Sequence, residues 1–264
     1  MNETTVQELR TKLRGQLITP ADHAYESARK VYNGMIDRRP ALIARCRDAA
    51  DVMAGVAFAR EQGLLLAVRG GGHNGPGLGT CDGGLVIDLS PMKDVRVDPA
   101  SRTVRVSGGA VWGDVDHATH PFGLAVPSGF ISTTGVGGLT LGGGVGYLTR
   151  RYGLTIDNLL EADVVLADGR LVTASAREHA DLFWALRGGG GNFGVVTSLL
   201  FRGNAVGTVY GGPIFWPFSR GPEVLRFWRD FIREAPCGET STTRRIPWAW
   251  RCRAASSRRP AWAA

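Results

Sequence analysis

Short segments with two different hydrophobic periods alternate along the chain. Residues 41–46 read as a strand, and 64–68 is a continuous apolar run, which predicts a buried strand; 85–89 reads as another. Val95–Val97 and Val104–Val106 alternate around Asp98-Pro99-Ala100-Ser101, a hairpin with turn residues in place. Residues 162–166 and 171–173 flank Asp168-Gly169, a second hairpin, and 195–201 is strand-like. Helical spacing predicts short helices over 22–33 and 111–120, and another over 178–186. Asp48 is placed to cap a helix through Val52, Val56 and Phe58, with Gly63 at its end. Residues 222–233 carry Val224, Leu225, Phe227, Trp228, Phe231 and Ile232 at amphipathic-helix spacing. No internal repeat is present. Hairpins mixed with isolated helices argue for an α+β fold rather than a regular βαβ alternation.

Glycine changes this picture: 37 residues among 264 is about twice the usual share of roughly 7%. The excess is clustered at 70–84, 135–146 and 188–194, as expected of backbone that cradles a ligand. The net charge of +7 suggests nucleic acid until it is located. Arg244, Arg245, Arg251, Arg253, Arg258 and Arg259 account for all but +1 of it, with no acidic residue from Thr240 onward. A nucleic-acid binder carries its basic face on the folded body, so none is expected here as a partner. Cys46, Cys81, Cys237 and Cys252 show no CxxC or metal spacing, which suits free thiols and no metal. The first residues lack the apolar stretch of a signal peptide, and no run of 18 apolar residues occurs, so a cytoplasmic protein without membrane contact is expected.

Two stretches match G-x-G-x-x-G: Gly70-Gly71-Gly72-His73-Asn74-Gly75 and Gly189-Gly190-Gly191-Asn192-Phe193-Gly194. The motif indicates a Rossmann dinucleotide site only where it follows a strand and opens a helix. The first runs into Pro76-Gly77-Leu78-Gly79 and the second into a strand, so both fail that context. Backbone N–H groups in a glycine turn can still converge on an anion without a helix behind them. Gly70–Gly75 and Gly135–Gly146 are candidates for such donors, and three glycine clusters in one chain favour a large ligand.

These residues resemble the berberine bridge enzyme-like flavoproteins, within the vanillyl-alcohol oxidase (PCMH) type of FAD-binding domain. The resemblance rests on RGGGHN at 69–74, GGLVIDLSPM at 83–92, the run 133–158 and DLFWALRGGGGNFGVVTSLLF at 181–201, in the family's order. It implies a two-lobed α+β domain binding FAD in extended form between its lobes, with the 70–75 loop on the pyrophosphate. It further implies cofactor contacts from Arg69, Gly70, Gly71, Gly72, His73, Asn74, Gly75, Ser128, Thr133, Thr134, Gly135, Gly138, Gly142, Gly144 and Val196. His73 matches the histidine that bonds to the flavin 8α-methyl carbon, a role suited to a neutral imidazole near pH 7. Many relatives add a cysteine link where this chain has Ile131, and some carry a histidine where it has Leu139, so attachment through His73 alone is expected. His117 and His120 lack that context and read as structural; Tyr147, Arg150 and Tyr152 read equally as neighbours of the flavin or as packing residues.

The implied function is an FAD-dependent oxidase. Hydride would pass from an alcohol, sugar or amine-type small molecule to the flavin, with O₂ as acceptor and no catalytic residue identifiable. The competing readings are a truncated FAD-binding fragment with little specific turnover, and a nucleotide-binding module without redox chemistry. The expected organisation is an N-terminal helical segment at 1–36, the FAD-binding domain at 37–205, the start of a substrate domain at 206–239, and an aberrant, disordered basic tail at 240–264.

Overall fold

Two large sheets, built by different rules, organise the computed structural model, which describes residues 2–207 and 214–234. The chain begins with α1 (Glu3–Lys12), whose first turn is capped by the Asn2 side chain accepting from the Thr5 N–H at 2.8 Å. There follow β1 (Gln16–Ile18), the single turn α2 (Tyr25–Ala28), β2 (Leu42–Arg45), α3 (Ala49–Glu61), β3 (Leu66–Arg69) and β4 (Leu85–Asp88). The first sheet runs β1-β2-β4-β3, with β2, β4 and β3 parallel and β1 antiparallel at one edge. Asp48 caps α3 through the Asp51 N–H at 3.1 Å. The helix then buries Val52, Val56, Phe58 and Ala59 in one cluster with Leu85 and Ile87 of the central strand. Each buried Val, Leu, Ile or Phe side chain of this set contributes about 1.5–3 kcal/mol.

The second sheet takes β5 (Val95–Asp98) and β6 (Thr103–Ser107) before the chain leaves it. That excursion holds α4 (Trp112–Thr119), β7 (Leu124–Ala125), α5 (Val136–Leu141) and α6 (Thr149–Tyr152). The chain returns through β8 (Leu159–Val165), β9 (Leu171–Ser175), α7 (Ala180–Gly189), β10 (Val195–Arg202) and β11 (Asn204–Ala205), and α8 (Gly221–Glu234) closes the described part. The strand order is β5-β6-β10-β8-β9, antiparallel throughout. Val104, Val106, Ala162, Val164, Leu199 and Phe201 form one core with Trp112 and Val115 of α4, Val136 and Leu141 of α5, and Phe183 and Leu186 of α7. The opposite face is polar: Arg105 bridges to Glu161 at 2.5 Å and to Asp163 at 3.1 Å. Alternation in the sequence thus becomes a sheet with one wet side.

The α+β expectation holds, and both hairpins, the capped helix α3 and the strands β2, β4 and β10 lie where the pattern puts them. Four expectations differ. The run 64–68 becomes an edge strand paired only with β4, leaving Leu65 and Val68 exposed, because an apolar run does not report how many neighbours a strand has. The helix expected over 22–33 is reduced to α2, since the chain beyond it is drawn away to cover the 70–75 loop. Residues 135–146, read as a glycine turn, contain α5. Burial of Val136, Thr140 and Leu141 outweighs the poor helix propensity of Gly137 and Gly138. A βαβ crossover, β2–α3–β3, stands in the first sheet although the pattern pointed away from such units.

The segment 1–36 supplies β1 to that sheet as well as helix. The apolar stripe of α8 leaves Leu225, Phe227 and Trp228 exposed. The tail at 240–264, with Cys237 and Cys252, lies outside the described residues. Among the described residues no helix is long and apolar enough to cross a membrane.

Candidate functional site

The parallel strands β2, β4 and β3 end side by side on Arg45, Asp88 and Arg69, which are register partners. Asp88 is therefore flanked by two arginines. Arg69 Nη2 lies 2.9 Å and Arg45 Nε 3.6 Å from Asp88 Oδ2, while the Ser90 N–H donates to Oδ1 at 3.1 Å. The Arg69–Asp88 pair is buried, with side chains 8% and 3% exposed. Arg69 also donates to the Lys30 carbonyl at 3.2 Å. One carboxylate against two guanidinium groups leaves the row net positive. Open ligand clefts in sheets with parallel strands lie beyond these carboxyl ends. Here a cleft of about 450 Å³ occupies that position, walled by Arg45, Arg69, Lys30, Ser90 and the backbone of Gly70, Gly71 and Gly72.

The 70–75 loop leaves β3 and meets the second lobe backbone to backbone. A Cβ on Gly71 would stand 2.4 Å from the Gly135 nitrogen, and one on Gly135 would stand 2.5 Å from the Gly71 nitrogen. Side chains are excluded at both positions by close approach. Gly135 is itself held by a bridge to Val111, and the flanking Val136 N–H and Thr134 carbonyl bond to Ala110 and Trp112, both at 3.0 Å. A Cβ on Gly70 would meet the Gly108 carbonyl at 3.1 Å, and one on Gly108 the Val196 carbonyl at 2.5 Å. Gly70, Gly71, Thr134, Gly135 and Val196 therefore belong to one junction between the lobes.

His73 stands at the mouth of this junction. Its Nε2 lies 3.1 Å from Thr133 Oγ1, and its ring is stacked on Tyr32 with centroids 4.0 Å apart and planes at 17°. Tyr32 is brought there by its N–H donating to the Gly72 carbonyl at 3.1 Å, and Asn33 Nδ2 donates to the Gly75 carbonyl at 2.9 Å. The segment before and after Tyr32 is fastened by Arg29, a buried guanidinium paired with Glu26 at 2.7 Å and with Asp37. Hydrogen bonds from that guanidinium hold both carboxyls below the usual carboxylate range.

The remaining sequence-derived residues do not line that cleft. Ser128 backs onto Gly146, where a Cβ would stand 1.5 Å from the Ser128 carbonyl oxygen, and Gly144 backs onto Thr155. Gly138 and Gly142 are exposed on and just after α5. Asn74 is not turned to the cleft: its Oδ1 accepts from the Leu78 N–H at 2.9 Å and closes the turn. Ile131 is half exposed beside Phe130, whose ring meets Tyr147 edge-on at 4.8 Å, and Leu139 packs over Gly129. Tyr152 is half-buried and donates to the Ala205 carbonyl at 3.4 Å, while His117 and His120 are exposed on and beyond α4. Tyr32, Lys30, Arg45, Asp88 and Gly108 were missed. The Asn33-Gly34 dipeptide, a turn signal at the end of the expected helix, was the available clue to Tyr32.

Glycine loops without side chains, a net-positive row at the parallel strand ends and a clamped histidine together fit a dinucleotide carrying a diphosphate and a ring system. A family model described as FAD binding domain matches residues 40–175. The chain is 43% identical over 187 residues to (R)-6-hydroxynicotine oxidase of Paenarthrobacter nicotinovorans, covering 71% of this chain and 41% of that protein. The crystal structure of 6-hydroxy-D-nicotine oxidase from Arthrobacter nicotinovorans superposes with a TM-score of 0.77 at 38% identity, over 84% of this chain and 50% of that one. A glucooligosaccharide oxidase from Acremonium strictum, whose structure reveals a novel flavinylation, superposes with a TM-score of 0.70 at 35% identity, over 75% and 42%. The chain thus spans about half the length of the relatives it matches.

Proposed function

This chain belongs to the FAD binding domain family, of the berberine bridge enzyme-like type, and on that premise we propose that it carries FAD covalently on His73 and serves an oxidase. The diphosphate would lie along the Gly70–Gly75 loop and the Gly135–Gly146 segment, with Gly138 and Gly142 leaving room for it; at Gly144 a Cβ would instead stand 2.2 Å from Thr155 Oγ1, so glycine there serves the packing of the segment. The lone carboxylate Asp88 keeps Arg69 in place, and Arg45, 42% exposed, supplies positive charge toward the cleft. Arg69 itself acts from behind the loop rather than on the phosphates. The observation that carries the reading is His73, presented at the contact of the two loops and clamped there by Tyr32 and Thr133.

Attachment through His73 alone follows from the side chains nearby. Ile131 and Leu139 offer no nucleophile, and Cys81, eight residues past His73, is buried beneath the first sheet. Residues 37–205 would form the FAD-binding domain and 206–239 the opening of a substrate region. The flavin supplies hydride acceptance from a small alcohol, sugar or amine and its return to O₂; the protein binds, orients and shields it. Relatives named as hydroxynicotine and glucooligosaccharide oxidases support this over a fragment without turnover. The test is the purified chain itself. Flavin that remains with acid-precipitated protein, together with saturable oxygen consumption on a panel of amines and sugars, is expected. A colourless protein, or one whose flavin washes out entirely, would contradict the covalent reading. Bound flavin without any turnover would contradict the oxidase.

A further inference from the structure

The imidazole of His73 is held on one face and one edge. Tyr32 lies on the face at 4.0 Å, and Thr133 Oγ1 engages Nε2 at 3.1 Å. Among the described residues no group is hydrogen-bonded to Nδ1. Both clamps are fastened in turn to the loops they join. Tyr32 is tied to Gly72 through its N–H, and Thr133 sits in a turn closed by the Thr134 N–H on the Ile131 carbonyl at 3.1 Å. A neutral imidazole carries its proton on one nitrogen and its lone pair on the other, and a hydroxyl can either accept or donate.

We infer that Tyr32 and Thr133 are a positioning pair that prepares His73 for flavinylation, Thr133 by holding the proton on Nε2 and Tyr32 by fixing the plane of the ring. The inference rests on the reading of His73 as the attachment point. With the proton held on Nε2, the lone pair stands on Nδ1, the nucleophilic nitrogen. Overall, the bond from Nδ1 to the 8α carbon forms as one methyl C–H and the Nε2–H break. The two electrons and two protons released reduce one O₂ to hydrogen peroxide. Thr133 suits both ends of this change. Its oxygen accepts from Nε2–H beforehand, and its hydroxyl donates to the bare Nε2 afterwards, without any turn of the ring. Lacking the pair, the ring would divide its time between two broad χ2 orientations and two tautomers, so that only a fraction presents the reacting nitrogen. Tyr32 acts through its aromatic face, since its hydroxyl is not part of the contact.

The experiment mixes FAD with apoprotein of the full chain under air and follows acid-stable flavin as a fraction of total bound flavin. Thr133→Val and Tyr32→Leu should each slow attachment roughly ten-fold, about the effect of one lost hydrogen bond or aromatic contact. Thr133→Ser and Tyr32→Phe should keep the wild-type rate, a rescue that a merely structural role would not produce. Scaling to bound flavin separates attachment from affinity, and Tyr32→Leu decides if Thr133→Val binds no FAD. Attachment at the wild-type rate in Tyr32→Leu and in any FAD-binding Thr133→Val overturns the pair alone. A wild-type protein that binds FAD but never forms an acid-stable adduct overturns the attachment at His73, and the pair with it.

Discussion

Residues 70–75 and 189–194 carry glycine at the same spacings, yet the molecule uses them differently. The first loop leaves a parallel strand beside two arginines, touches Gly135 backbone to backbone and borders a cleft. The second ends α7 and starts β10 on the surface; Gly188, Gly189, Gly191 and Asn192 are exposed, and Gly190 and Gly191 have nothing within 4 Å of an added Cβ. Its Asn192 side chain donates to the Gly189 carbonyl at 2.9 Å, which closes a turn. The same motif lines a cleft in one place and makes a surface connection in the other. What separates them is the charge and backbone brought up by other segments.

The largest expected effect lies behind the first loop. Asp88→Asn would leave Arg69 buried without its charge partner and should cost about 3–5 kcal/mol of unfolding free energy. Near the second loop, the Arg187–Asp157 pair spans 3.8 Å with side chains 37% and 50% exposed, and Arg187→Gln should cost under about 1 kcal/mol. Urea unfolding measures both, and equal losses would erase the distinction. Next comes the glycine contact. Gly71→Ala places a methyl 2.4 Å from backbone that cannot withdraw as a side chain can, and should cost about 1–3 kcal/mol and most of the FAD affinity. Gly191→Ala meets open space at ordinary φ and should change stability by less than about 0.5 kcal/mol. A Gly71→Ala protein that retains stability and flavin would refute the junction.

Legibility in the sequence divides along the same line. Local signals, such as the Asp48 cap, the two hairpin turns and the failure of both glycine loops to open a Rossmann helix, were readable and stand in the structure. The site was legible where a motif is contiguous, as at 69–75 and 133–135. It was hidden where the chemistry depends on register, since Arg45, Asp88 and Arg69 meet only because three separate strands align. Tyr32 was hidden for the opposite reason. A helical pattern continued through it, and the bonds to Gly72 and Gly75 hold the segment in a bend and turn instead. Gly108, without a motif around it, showed no sign of its contact with Gly70 and Val196.

A smaller effect sharpens the picture of the first lobe. Burial raises the thiols of Cys46 and Cys81, and the carboxylates of Asp51 and Asp88 push Cys46 further. Both folded-state values stand above the unfolded one. Their contribution to stability is therefore full below the ordinary thiol value of about 8.5 and declines as pH rises past it. At pH 8 iodoacetamide should leave both residues unmodified in folded protein and modify both in urea. Labelling of Cys81 in the folded state would place it within reach of the cleft.

The most direct test of the central claim, that the 70–75 loop is the flavin-bearing one and His73 its point of attachment, is intact-mass analysis of the wild-type chain and His73→Ala, each saturated with FAD and then unfolded. A wild-type mass increased by one FAD less two hydrogens is expected, and the unmodified polypeptide mass for His73→Ala, with FAD still bound before unfolding because the Gly70–Gly75 and Gly135–Gly146 backbone is unchanged. An adduct that persists in His73→Ala would contradict it.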